Sequence, residues 1–208
     1  SLVGNKEYGN FIARLCTPNV ILMKLDLEHA TSGLGADLNN IAFMLCTADL
    51  LDIKALVEHC RTHKFDLENT LNIKVAKSAP KVFFKGIISE KARSHDDPST
   101  VTDDVKTLND TDVLSNDTDI VSPFFNLITL CSYVQLERID AYLQENSKIT
   151  LDQLIDKKFP RKQMSNYLKM WVRRPPAAFS YLLSLVGRQP DVMSVVCSRQ
   201  DKSFFASV

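Results

Sequence analysis

His59 and His63 stand at i, i+4 with Cys60 between them, in Glu58-His59-Cys60-Arg61-Thr62-His63. That spacing puts two imidazoles on one helical face, where they could share a zinc ion. No third ligand is evident, and the pair closes a helix, where imidazole also suits the negative end of the dipole. A structural role is therefore expected. Asp110, Asp112, Asp117 and Asp119 could hold calcium weakly, but they lack the turn glycine and the closing glutamate of an EF-hand loop. A solvated linker accounts for them better. No glycine-rich phosphate loop, no Gly-x-Ser-x-Gly and no paired carboxylates in an apolar stretch are found, so an enzyme is not expected. The remaining charge chemistry is cationic. Lys74, Lys77 and Lys81 form one group; Lys157, Lys158, Arg161, Lys162, Arg173 and Arg174 form another. Each basic residue near an anionic membrane contributes about 1 kcal/mol, less in salt. The plainer alternative is a solvated charged face.

The elements that would carry these residues are helical. A phrase with cysteine near its end recurs as Ala42-Phe43-Met44-Leu45-Cys46-Thr47, Leu127-Ile128-Thr129-Leu130-Cys131-Ser132 and Met193-Ser194-Val195-Val196-Cys197-Ser198. Such repetition marks one supersecondary unit copied along the chain, and repeat architectures more often present surfaces than build a catalytic pocket. The three cysteines hold equivalent apolar positions and are expected to be core thiols. Phe11, Ile12 and Leu15 form an opening stripe, and Leu22, Leu25 and Leu27 a second helix. Asp37 or Asn39 can cap a helix through Cys46; Asp49 and Asp66 cap the next two. Lys81 to Lys91 carries Val82, Phe83, Ile87 and Ile88. The order recurs through Phe124 to Cys131, Leu136 to Leu143, a short helix from Thr150, Met164 to Val172, and a helix opened by Pro175-Pro176. Leu67 and Leu71 match Leu151 and Ile155 at an offset of 84, and Trp171 takes the place of Leu15, a core position. Five helices per unit is the working count. Ser94 to Asp119 reads as a polar linker with one helix near Asp103 to Leu108.

Bulk composition agrees. Hydrophobic residues make up 45%, with six Gly and eight Pro, which argues against both a turn-rich β-sandwich and disorder. Basic and acidic residues balance at 25 each, so net charge gives no reason to expect nucleic-acid binding. Five scattered cysteines and no signal peptide or long apolar span suggest a cytoplasmic, reducing setting. The start at Ser1 suggests a fragment or a processed form.

At this point the residues resemble the annexin family. Ala30-Thr31-Ser32-Gly33-Leu34-Gly35-Ala36-Asp37 is similar to the family's Gly-x-Gly-Thr loop, and Leu45-Cys46-Thr47 to the end of the helix that follows. Leu15-Cys16-Thr17-Pro18 and Val196-Cys197-Ser198-Arg199 are similar to further helix endings. The divergence is similar to that of the protozoan branch, the alpha-giardins. The resemblance covers essentially the whole chain: 1–32 as the end of one repeat, 33–109 and 110–186 as complete repeats, and 187–208 as the start of another. It implies an all-α fold of five-helix repeats packed as a curved array. It further implies calcium loops on the convex face that bridge to anionic phospholipid, and non-enzymatic binding at membranes or the membrane-associated cytoskeleton.

The chemistry departs from that pattern. The family's site combines loop carbonyls with one carboxylate, here Thr31, Gly33 and Gly35 with a carboxylate position that falls on or next to Lys74. In the next repeat that position falls on Lys158, and Leu114-Ser115-Asn116-Asp117-Thr118 replaces the Gly-x-Gly loop; the last has only Val186-Gly187-Arg188-Gln189. A unit cation ~5 Å from a divalent ion costs about 6 kcal/mol at an effective dielectric of ~20, against about 8 kcal/mol for a whole micromolar site. Calcium dependence is therefore expected to be weakened or lost. The plainer reading of Gly33 and Gly35 is that they end one helix and turn the chain into the next. In the family's layout the basic residues project from the convex face, so Lys74, Lys77, Lys157, Lys158, Arg161, Lys162, Arg173 and Arg174 are expected to contact anionic lipid or an acidic partner. The alternative is a helical protein-binding scaffold without lipid or calcium.

Overall fold

The structure, a computed structural model, describes residues 17–186. It is built from eleven α-helices, with no strand among the described residues. They are α1 (Asn19–Thr31), α2 (Leu38–Thr47), α3 (Leu50–Thr62), α4 (Leu67–Lys74), α5 (Ser78–Ile88), α6 (Val101–Asp110), α7 (Thr118–Leu130), α8 (Tyr133–Ser147), α9 (Leu151–Lys158), α10 (Lys162–Trp171) and α11 (Pro175–Val186). The stripe at Phe11 to Leu15, Cys16, Gly187 to Gln189 and Cys197 lie outside the described residues.

Short polar side chains start the helices by accepting from orphan amides of the first turn. Asp37 accepts from the amides of Asn39 and Asn40, both at 3.1 Å, and Asp49 from Asp52 at 2.8 Å. Asp66, Asp117 and Ser132 do the same for α4, α7 and α8. At α9, Thr150 and Gln153 cap each other's backbone reciprocally. Pro175 and Pro176 occupy the first turn of α11, where a missing amide costs nothing.

One continuous apolar core runs through all of these helices. Its centre is aromatic: Phe83 and Phe84 of α5, Phe124 and Phe125 of α7, Phe159, and Tyr167 and Trp171 of α10. Phe83 meets Trp171 edge-on at 6.4 Å and Phe124 meets Phe159 edge-on at 5.4 Å. Trp171 is thus core, and its indole N–H donates to the Ile128 carbonyl at 3.1 Å. Cys46, Cys60 and Cys131 are buried thiols. The tightest crossing joins α5 to α7. A Cβ added at Gly86 would come within 3.0 Å of Thr129 Cβ and still nearer its hydroxyl.

Two expectations are corrected. Leu25 is 52% exposed, because α1 buries Leu22, Met23 and Leu27 and turns Leu25 outward. The aspartate-rich stretch is only in part a solvated linker: α6 buries Val105 and Leu108, and Asp104 is itself only 7% exposed. Before α6 runs a strap, residues 89–100, which crosses the end of α7. Its backbone amides at Arg93 and His95 donate to the Thr129 and Leu130 carbonyls at 3.0 and 2.8 Å, and Ser132 N donates back to His95 O at 2.8 Å. The strap therefore takes up carbonyls that a helix end leaves without partners.

Candidate functional site

The first candidate corner is the loop between α1 and α2, faced by the end of α4. Ser32 closes α1 by donating its amide and hydroxyl to the His29 carbonyl at 3.3 and 2.9 Å. Asp37 N returns to Ala30 O at 2.8 Å. Thr31 is buried and its hydroxyl donates to Leu27 O at 2.8 Å. Gly33 and Gly35 are exposed, and neither has a positive φ. A Cβ at Gly33 would meet only the Gly35 backbone, its O at 3.6 Å and N at 4.0 Å, and one at Gly35 would meet nothing within 4 Å. The turn thus uses no left-handed glycine; its polar bonds come from Ser32 and Asp37. Lys74, the last residue of α4, reaches across 41 positions of sequence to donate from Nζ to Gly33 O at 2.9 Å. An ammonium, not a carboxylate, faces this carbonyl.

The second corner repeats the arrangement with different loop residues. Lys158, the last residue of α9, donates from Nζ to Thr111 O at 2.9 Å and to Asn109 O. Both carbonyls belong to the C-terminal end of α6 or its cap, where a cation is favoured by the helix dipole. Burial lowers the Lys158 pKa, opposed by the nearby Asp110 and Asp112 carboxylates and assisted by Lys157. Lys74 and Lys158 are themselves 84 residues apart, the offset that relates Leu67 to Leu151. Asp112 accepts from Leu114 N at 3.1 Å and Asp117 from Asp119 N at 2.9 Å, so these carboxylates are turn and cap residues.

The other basic residues divide into two groups. Arg173 is half-buried: it donates to the Asp152 carboxylate and the Lys169 carbonyl, with its guanidinium 4.5 Å from the Tyr181 ring. Arg174 pairs with Glu137 at 2.9 Å. Lys77, Lys157, Arg161 and Lys162 are exposed, and their side chains make no hydrogen bond or ion pair among the described residues. Three of these four sit around the α9–α10 turn, which Asp156 braces by accepting from Ser165 at 2.6 Å and from Lys169. At the other weighed site, His59 and His63 stack with ring centroids 4.0 Å apart, and His63 Nδ1 lies 2.8 Å from His59 O. No third metal ligand joins them among the described residues.

Sequence reasoning passed over Arg93. Its backbone is left-handed, with φ of 61°, and its guanidinium lies between the rings of Tyr133 and Trp171, at 4.1 and 3.9 Å. It donates to Cys131 O at 3.0 Å and to Trp171 O, so one cation serves the C-terminal ends of α7 and α10. Two helix ends with partial negative charge and two π faces stabilise a buried cation without a carboxylate. Even so, burial draws its pKa down to about 10. A lone arginine in a polar stretch carries no periodic signal, so spacing could not reveal it.

No family model matches the chain, and no curated protein matches it. Solved structures do. Calcium-bound alpha-14 giardin superposes with a TM-score of 0.72 at 13% identity, covering 85% of this chain and 60% of that one. Calcium-bound alpha-11 giardin gives 0.71 at 16%, covering 91% and 63%. Chicken annexin V in complex with Zn2+ gives 0.74 at 16%, covering 93% and 63%. The chain thus spans about three-fifths of the length of these structures. Likeness at such low identity speaks for architecture, and the architecture is that of a divergent, all-α, annexin-like fold.

Proposed function

We propose that the chain is a non-enzymatic, annexin-like binding protein that reaches anionic surfaces without calcium. Its repeats are those at 33–109 and 110–186, flanked by partial ones at 1–32 and 187–208. The observation that carries this reading is the pair of lysine bridges, Lys74 Nζ to Gly33 O and Lys158 Nζ to Thr111 O, each 2.9 Å. In both corners a fixed ammonium ties a loop carbonyl, in the role that the resemblance gives to a metal ion. Carbonyls so engaged make a poor calcium cage, since calcium wants six to eight free oxygens and the ammonium opposes its charge. The proposed set Thr31, Gly33 and Gly35 is weakened as a metal site on the same ground.

Surface contact falls to Lys77, Lys157, Arg161 and Lys162, which are exposed and unpaired. Four such residues supply about 4 kcal/mol at low salt, an affinity near millimolar. Binding by this chain is therefore weak, salt-sensitive and peripheral, at a membrane or at membrane-associated cytoskeleton. No helix among the described residues is long and apolar enough to cross a bilayer.

Sedimentation with phosphatidylserine vesicles tests the reading. The expected result is co-sedimentation at low ionic strength, unchanged by calcium or chelator and lost at physiological salt. Charge reversal at Lys157, Arg161 and Lys162 together should abolish it. Absence of binding at low salt would leave the protein-binding scaffold as the better reading, and binding only with calcium would overturn the lysine argument.

A further inference from the structure

The strap carries a second cluster of chemistry, remote in sequence from the lysine corners. A ring nitrogen of His95, a carboxylate oxygen of Asp104 and Sγ of Cys131 all lie within 4.8 Å of one another. They come from three different elements: the strap, α6 and the C-cap of α7. The backbone bridge between His95 and Cys131 fixes two of them side by side. Asp104 and Cys131 are buried, while His95 is half-buried at the mouth.

A nucleophilic role for this cysteine fails. A reactive thiol is accessible and has a lowered pKa; Cys131 is fully buried, and burial pushes its thiol up to about 12. A hydrogen-bonded staple alone explains one side of the carboxylate. Asp104 Oδ2 accepts from Gln135 at 2.6 Å, His95 Nε2 lies 3.0 Å from it, and Thr100 donates at 3.1 Å. The other oxygen, Oδ1, has only the contact with His95 Nε2, at 3.3 Å. That separation also suits two ligands of one metal ion. Zinc bonded tetrahedrally to one imidazole nitrogen and one carboxylate oxygen holds those two atoms about 3.3 Å apart. The sulfur would have to lie about 3.6 Å from the nitrogen, and the two atoms stand within 4.8 Å of one another.

We propose that His95, Asp104 and Cys131 form a zinc site that fastens the strap to the end of α7. Imidazole with thiolate selects zinc over calcium or magnesium, which take oxygen. A water or the Thr100 hydroxyl, 3.1 Å from His95 Nε2, completes four-coordination. Gln135, donating to the carboxylate from α8, orients the acidic ligand as outer partners of metal sites do. On binding, the thiol proton of Cys131 leaves to solvent, and the metal's positive charge takes its place.

The test uses the full chain, stripped with chelator, and titrated with zinc against a chromophoric competitor. Cobalt replaces zinc in a parallel titration, read by absorbance. One equivalent of zinc should bind, and cobalt should show a thiolate-to-metal charge-transfer band in the near ultraviolet. Cys131→Ser and His95→Gln should each weaken binding at least about tenfold, while their metal-free circular dichroism stays that of the parent. The double change His59→Asn with His63→Asn should leave affinity within about twofold. Failure to bind stoichiometric zinc, a cobalt spectrum without the thiolate band, or affinity that survives Cys131→Ser overturns the site. So does affinity lost with the His59/His63 pair. Should Cys131→Ser fail to fold, His95→Gln, at a half-buried position, decides.

Discussion

Lys74 brings a positive charge to the Gly33 carbonyl, 2.9 Å away, at the place where the annexin resemblance asks for a negative one. The resemblance put the family's carboxylate position on or next to this residue, and the repeat offset gave its counterpart Lys158. Spacing did not reveal where the side chains go. Both were expected to contact anionic lipid or an acidic partner, and both bond to a carbonyl of their own chain, since a four-carbon stem lets a lysine at a helix end fold back onto a neighbouring loop. The same holds for Arg173 and Arg174, whose partners Asp152 and Glu137 lie 21 and 37 residues away. A direct prediction follows from the charge at residue 74. Lys74→Glu removes the ammonium and supplies a carboxylate beside an exposed Gly-x-Gly loop. Titration calorimetry should show no calcium heat with the parent chain and measurable binding, at least millimolar, with the variant. Lys158→Glu should gain less, because its loop lacks the glycines. Calcium binding by the unchanged chain with an affinity in the micromolar range would refute the account of both corners.

Among the elements, the helix starts were legible: Asp49 and Asp66 cap as read, Asp37 is the cap of the two residues read as able to be one, and Thr150, read as the start of its helix, is its N-cap. The strap and α6 were less so. Eight aspartates between 94 and 119 mask the apolar stripe of Val105 and Leu108, and Asp104 is stabilised inside by Gln135, 31 residues away. Gly86 is another case where a partner across the core decides. Alanine there would gain about 1 kcal/mol of helix propensity, yet its methyl would collide with the rigid, buried Thr129 on α7. Overpacking costs about 1–3 kcal/mol, so Gly86→Ala should lower stability by up to about 2 kcal/mol in urea unfolding. Gly33→Ala, whose methyl would make only ordinary contact with the Gly35 backbone, should be silent. The α9–α10 corner offers a pH test. Burial raises the Asp156 pKa, but hydrogen bonds from Lys169 and Ser165 and the charges of Lys169 and Lys162 outweigh it, and the net shift is downward. A carboxyl depressed by folding stabilises above its unfolded pKa, about 4, and loses that contribution as pH falls through the lower, folded value. Asp156→Asn should therefore melt below the parent at pH 7, and the gap should close towards pH 3. A gap independent of pH would mean that the brace works through packing and not through charge.

For the whole molecule, periodicity and the repeated cysteine phrase foretold all-α repeats and the family resemblance their annexin-like form, because helical register survives divergence to 13–16% identity. They did not foretell how far the proposed repeats share one interior. A solenoid whose units touch only their neighbours can unfold in steps. Here Phe83 and Phe84, from 33–109, lie against Phe125, Trp171 and Tyr167, from 110–186, at centroid distances of 6.1, 6.4 and 6.1 Å. Tyr167 also donates its hydroxyl to Asn39 at the start of α2, 2.6 Å away. Arg93 and the Gly86 crossing tie the same two stretches, so neither can lose its packing without exposing the other's aromatic core. Scanning calorimetry should then show one transition. Near 60 °C unfolding enthalpy is about 0.7 kcal/mol per residue, which for a chain of 208 residues gives about 150 kcal/mol. A single cooperative unit has a van't Hoff enthalpy close to that value. Two units melting independently would each give about half, and a transition so broadened would show that the shared aromatic centre does not couple them.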